Sequence, residues 1–188
     1  MVYSLSQLSL SNDERTENAG SQRKRNHPDL KPMSSPTDRV TALWRSLHTK
    51  PGGTWLFSRL LGRVIPYSET TRPHVRELRP GYARLTMRDR RAVRNHLNSV
   101  HAIAIANLGE LASGLAMVPA LPPGVRGIVT AFSVEYLKKA RGRIEAVGSC
   151  QPPAAIVEIT DVVVKAEIRD EARDIVARTS ATWRLSPT

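Results

Sequence analysis

Glu110 lies inside HAIAIANLGELASGLAMV, residues 101–118, a stretch with no basic residue after its first. An unpaired carboxylate is costly to bury, so such a group pairs, takes up a proton or faces a cavity. On a helix, Asn107 and Ser113 fall three residues to either side of it, and Ala106 and Gly114 four. The result is a narrow polar, small-residue stripe on an otherwise apolar surface. Such a stripe leaves room for a reactant to approach the carboxylate, or it marks a structural carboxylate capped by Asn107 and Ser113 at a subunit contact.

The polar run Asn95-His96-Leu97-Asn98-Ser99-Val100-His101 leads into this segment. First-turn N–H groups of a helix have no intrahelical partner and point towards any anion placed there. Donors so placed can hold the oxyanion formed when an ester or thioester carbonyl is attacked. Glu110 is nine residues beyond His101, about 13.5 Å of helical rise. One helix cannot bring its own start and its own Glu110 to the same carbonyl, whereas two antiparallel helices across a dimer can. The spacing therefore predicts a site shared between subunits.

The elements that must position these groups follow from the hydrophobic pattern. A helix over His101–Val118, ended by Pro119 and Pro122-Pro123, is apolar on nearly every side and is therefore buried or transmembrane. A central carboxylate opposes a bilayer span, so the helix is expected to be wrapped by a sheet. Alternation predicts strands over Val75–Leu78 and Tyr82–Met87, joined at Arg79-Pro80-Gly81, and over Gly127–Leu137, Gly142–Cys150, Ile156–Arg169 and Ile175–Leu185. Asp170–Asp174 makes the last turn. Two short amphipathic helices, Asp38–Thr49 with Asp38 as N-cap and Thr54–Val64, flank Pro51-Gly52-Gly53 and are expected to pack on the core. Residues 1–38, rich in Ser, Asn, Pro and charge, read as a disordered tail.

Taken in order, these residues resemble a hotdog-fold protein of the thioesterase superfamily, nearest to a branch described as a domain of unknown function linked with thioesterase activity. The resemblance covers about residues 40–186. Phenylacetate-type and hydroxybenzoyl-type hotdog thioesterases carry an amide residue, then His-Gly-Gly, then a helical Asp or Glu. Asn95, His101 and Glu110 match those positions with the spacing kept. Ser133–Leu137 with Ala140-Arg141-Gly142 resembles the strand and turn after the helix, and Val162–Asp170 with Ile175–Trp183 the closing hairpin. The resemblance implies an α+β hotdog domain over 39–186, with flanking helices at 39–64 and a core at 74–186. It implies Glu110 as base or nucleophile against an acyl-CoA thioester, and the Ala102 N–H as carbonyl donor. Asn95 would hold water or the carbonyl, Ser113 would support Glu110, and Thr130 would position water. His101 belongs to the same catalytic set. His-Gly-Gly becomes His101-Ala102-Ile103 here, which narrows the approach that glycines allow. The implied functions are thus acyl-CoA hydrolysis, acyl-CoA or lipid binding without turnover, or a hydratase or dehydratase on the same fold.

Over the 188 residues, 28 Lys and Arg stand against 17 Asp and Glu. Residues 39–94 hold thirteen of the basic groups against Glu69, Glu77 and Asp89. Such an excess fits a polyanionic partner. After the second helix only Tyr67 and Tyr82 are interleaved with it, so a phosphorylated thioester is favoured over nucleic acid. Arg90, Arg91 and Arg94, with Lys138, Lys139 and Arg141, are the residues expected to meet CoA phosphates. The lone Cys150 excludes an intramolecular disulfide, and no metal-ligand spacing or secretory signal is present. The expected protein is cytoplasmic, a homodimer or tetramer without stable membrane insertion, needing no cofactor beyond the CoA of its substrate.

Overall fold

The computed structural model describes residues 36–151 and 154–187, so the expected tail lies outside the described residues apart from positions 36–38. Two helices come first, α1 (Pro36–Leu47) and α2 (Gly53–Val64). The first starts two residues before Asp38, which sits in its first turn rather than capping it. Strands β1 (His74–Arg79) and β2 (Tyr82–Met87) follow, joined through Gly81 at φ 77°, then the long helix α3 (Ala102–Met117). The remaining strands are β3 (Val125–Tyr136), β4 (Ile144–Ser149), β5 (Thr160–Arg169) and β6 (Ile175–Pro187). β5 starts four residues later than its hydrophobic run suggests, and Ile159 just before it is exposed.

All pairings are antiparallel, in one six-stranded sheet of order β1-β2-β4-β5-β6-β3. The alternation does what its pattern requires. Val164, Ala166 and Ile168 on β5, with Ala177, Thr179, Ala181, Trp183 and Leu185 on β6, are buried on one face beneath α3. Leu108, Leu111, Ala112, Leu115 and Ala116 meet them from the helix. By length and composition Ala102–Ala120 could cross a membrane, but these buried residues make α3 the core helix around which the sheet wraps.

Backbone approaches fix the height of α3 above the sheet. A Cβ on Gly148 of β4 would stand 2.7 Å from the Ala112 carbonyl carbon and closer still to its oxygen. Gly109 lies over Thr179 in the same way, where a Cβ would be 2.6 Å from the threonine methyl. At the far end, the Gly81 N–H donates to the Ala116 carbonyl over 3.0 Å, and Cys150 N–H donates to Gly81 O over 3.0 Å. That turn thereby ties the end of α3 to β2 and β4.

Candidate functional site

The loop before α3 is built by its own polar groups. Asn95 Oδ1 accepts from the N–H groups of Leu97 (2.9 Å) and Ser99 (3.2 Å) and from the Ser99 hydroxyl (3.2 Å). Asn98 takes a left-handed φ of 54°, and Arg94 bridges Val100 across the loop. Asn95 thus shapes the approach to the helix, with its carbonyl oxygen spent on the loop rather than open to a water. His101 N–H donates to Val93 O (2.8 Å), which sets the residue at the N-cap with φ −65° and ψ 140°. Its Nδ1 accepts from the Ile103 N–H over 3.1 Å, so the ring closes one first-turn donor. The Ala102 carbonyl accepts from the Tyr136 hydroxyl over 3.0 Å, which seats this end of α3 against β3.

More than two turns further on, Glu110 is half-buried, and burial pushes its carboxyl above the usual carboxylate range. No hydrogen bond or ion pair reaches that carboxylate from the described residues. The neighbours expected to cap it turn elsewhere. Ser113, fully buried, donates to the Glu110 backbone carbonyl (2.7 Å) and accepts from Trp183 Nε1 (3.3 Å). Asn107 accepts from Thr71 Oγ1 (3.1 Å) and donates to Ser68 Oγ (3.4 Å), both at the one-turn 3-10 segment Pro66–Thr70 or just after it.

Two cavities meet at Glu110. One, of about 220 Å³, is lined by Val40, Val64, Ile65, Leu115, Val118 and Trp183 and is strongly apolar. The other, of about 260 Å³, is open and lined by Tyr67, Ile103, Ala106, Asn107 and Phe132. Ile103 is 55% exposed there, unusual for a core helix. This lining was not predicted from the sequence: it comes from α1, α2, the 3-10 turn, β3 and β6, which no local spacing connects. A partly desolvated carboxylate between a greasy pocket and an open cleft can act as a general base on a reactant with an apolar tail.

Thr130 is the extra residue of a bulge in β3. It is exposed, its hydroxyl donates to Thr182 O (3.3 Å), and it borders neither cavity at Glu110. The basic residues divide. Arg94 and Arg141 share an open basin with Arg88 and Arg143, although Arg94 also donates to Asp89 (2.6 Å) and Asn98 (3.0 Å). Lys138 is held by Asp174. Arg91 and Lys139 are exposed and border neither the Glu110 cavities nor the Arg94 basin. Arg90 donates to the Thr70 carbonyl and lines a neighbouring pocket with Arg59, Arg72 and Arg76, and with Arg88 and Arg143, which border both. Arg88 belongs to the arginine run that leads into the Asn95 loop and alternates with Thr86, whereas Arg59, Arg72, Arg76 and Arg143 are not expected at a site from the sequence, although alternation puts His74 with Arg76 on one face.

Residues 53–185 match the family described as Domain of unknown function (DUF4442). The sequence matches no curated protein. Among solved structures, the structural-genomics protein APC5556 is 32% identical, with 80% of this chain and 99% of that chain covered at a TM-score of 0.69. A protein of unknown function from Pseudomonas aeruginosa, PA5026, described as "Probable Thioesterase", is 22% identical over 72% of this chain and 96% of that one, TM-score 0.63. A thioesterase family protein from Silicibacter pomeroyi is 20% identical over 70% and 96% of the respective chains, TM-score 0.60.

Proposed function

The chain belongs to the DUF4442 family and has the hotdog fold, and from that premise we propose that it is a thioesterase hydrolysing an acyl-CoA with Glu110 as general base. The observation that carries this reading is the Glu110 carboxylate, desolvated and without a partner among the described residues, where an apolar pocket meets an open cleft. The solved relatives described as thioesterases support the reaction class. Glu110 takes a proton from water, and the resulting hydroxide adds to the thioester carbon. The tetrahedral oxyanion is held by the Ala102 N–H, and the C–S bond then breaks, with the thiolate taking the proton back from Glu110. The 220 Å³ pocket takes the acyl chain. The CoA phosphates approach the basin of Arg94 and Arg141.

The separation of Ala102 from Glu110 along one helix requires the oxyanion donor of one protomer to serve the carboxylate of another. The exposed apolar set Tyr67, Ile103 and Phe132 beside Glu110 is the half-site that a second copy covers. One observation favours a second reading, acyl-CoA binding without turnover. His101 occupies the Ile103 N–H, which leaves fewer donors for an oxyanion.

Release of free CoA thiol from acyl-CoAs of graded chain length separates the two. Hydrolysis is expected for the wild type, with kcat in Glu110→Ala and Glu110→Gln at least about 100-fold lower. A wild-type rate in either variant overturns the role given to Glu110. Saturable binding with no thiol release establishes the second reading.

A further inference from the structure

On the other side of the 3-10 turn from Glu110 lies a pocket of about 500 Å³ that shares Arg88 and Arg143 with the basin of Arg94 and Arg141 but otherwise has its own walls. Tyr67 of that turn faces the Glu110 cleft, whereas Glu69 of the same turn lines this pocket. Six arginines line it, Arg59, Arg72, Arg76, Arg88, Arg90 and Arg143, with His74 among them and Glu69 as the one carboxylate. Glu69 is engaged by Arg59 at 3.1 Å. Arg76 donates to Thr86 Oγ1 (3.2 Å), and Arg90 to the Thr70 carbonyl, both neutral acceptors. Most of the positive charge therefore has no counter-charge from the described residues.

That charge is already felt by its neighbours. His74 is held below the usual imidazole range by burial and by Arg76 and Arg88, and the guanidinium of Arg90 is pushed down by burial and by Arg72. Like charges gathered in a concave wall are relieved by an anion with more than one charge, and guanidinium forks suit phosphate oxygens. Trp55 stands on the rim, 60% exposed, while Trp44 and Trp183 are buried. An indole beside a phosphate-binding wall offers a stacking face for a base.

We propose that this pocket binds a nucleoside polyphosphate, with the phosphates on Arg72, Arg76, Arg88, Arg90 and Arg143 and the base against Trp55. The same chemistry is presented by a free nucleotide and by the nucleotide end of a CoA ester. The proposal stands whether or not Glu110 hydrolyses a thioester, because binding is read directly.

Tryptophan fluorescence reports it, since Trp55 is the exposed indole. ADP, ATP, CoA and pyrophosphate are titrated into the full-length protein at low salt, with thermal melts as the check on folding. ADP and ATP are expected to quench saturably, and pyrophosphate to compete with them. Raising sodium chloride from about 50 to 500 mM should weaken ADP at least tenfold. Arg72→Glu combined with Arg76→Glu should weaken ADP about 100-fold or more, and Trp55→Leu should remove the quench while leaving pyrophosphate binding measured by calorimetry in place. ADP binding that leaves acyl-CoA turnover untouched identifies a free nucleotide as the occupant. ADP that raises the KM for acyl-CoA identifies the CoA end. Three results overturn the proposal: no binding of any of the four ligands, unchanged ADP binding in a folded double variant, or binding of DNA or RNA alone.

Discussion

Glu110 is half-buried between an apolar pocket and an open cleft, and the described part of the chain offers its carboxylate neither a cation nor a donor. Its folded pKa is raised, so the native state holds a proton that the unfolded chain gives up. Stability from this group is thus fully present below the ordinary carboxylate range. It is lost as pH climbs from that range through the raised value, and is flat above it. Glu110→Gln removes the dependence. Thermal melts should show the variant more stable than wild type at pH 7 to 8, with the gap closing below about pH 4. A gap independent of pH would show that the carboxylate is not desolvated. A stability gain joined to a loss of thiol release is the pattern of a residue kept for chemistry at a cost in folding.

At the scale of elements, α3 and β4 meet without a side chain between them at Gly148. Gly148→Ala must push against the Ala112 peptide rather than a flexible side chain, and is expected to cost about 2–3 kcal/mol in denaturant unfolding. An unchanged midpoint would mean that the layers can separate. The elements themselves were readable because their periods are clean: alternation over 175–185 and an apolar run over 101–118 leave little choice. Ends were less readable. Ile156 is buried as a strand residue would be, yet it precedes the pairing that begins at Thr160. The turn at Asp170–Asp174 lacks a glycine, and Arg173 supplies the left-handed φ of 71° instead. Of the site, Glu110 and the N-cap at His101 could be found from one helix alone. The pocket walls could not, since Val40, Ile65, Phe132 and Trp183 come together only through the topology. Side-chain roles were harder still: Asn95, Asn107 and Ser113 each had several acceptors or donors within reach, and each bonded its own scaffold.

For the whole molecule, the sheet ends on β3, a twelve-residue edge strand with Ile128, Phe132 and Tyr136 exposed. A long apolar edge is a template for another strand, and the proposed site also asks for a second copy on this side. Sedimentation of the wild type should give a dimer or larger. Phe132→Glu should shift it towards monomer and lower thiol release in parallel. A monomeric wild type that hydrolyses acyl-CoA would refute the shared site. The seating of α3 bears on this assembly in a mechanical way. With Gly148 against the Ala112 peptide, Gly109 against the Thr179 side chain and Gly81 bonded to the Ala116 carbonyl, the helix that carries Glu110 is held closely at three points. The α1–α2 pair is packed as closely, with Gly53 against the Leu47 carbonyl and Trp44, Phe57 and Leu61 buried, and it lends Val40, Val64 and Ile65 to the apolar pocket. If that pocket takes the acyl chain as proposed, its walls are packed surfaces on both sides, and the length of chain admitted is set by a cavity of about 220 Å³.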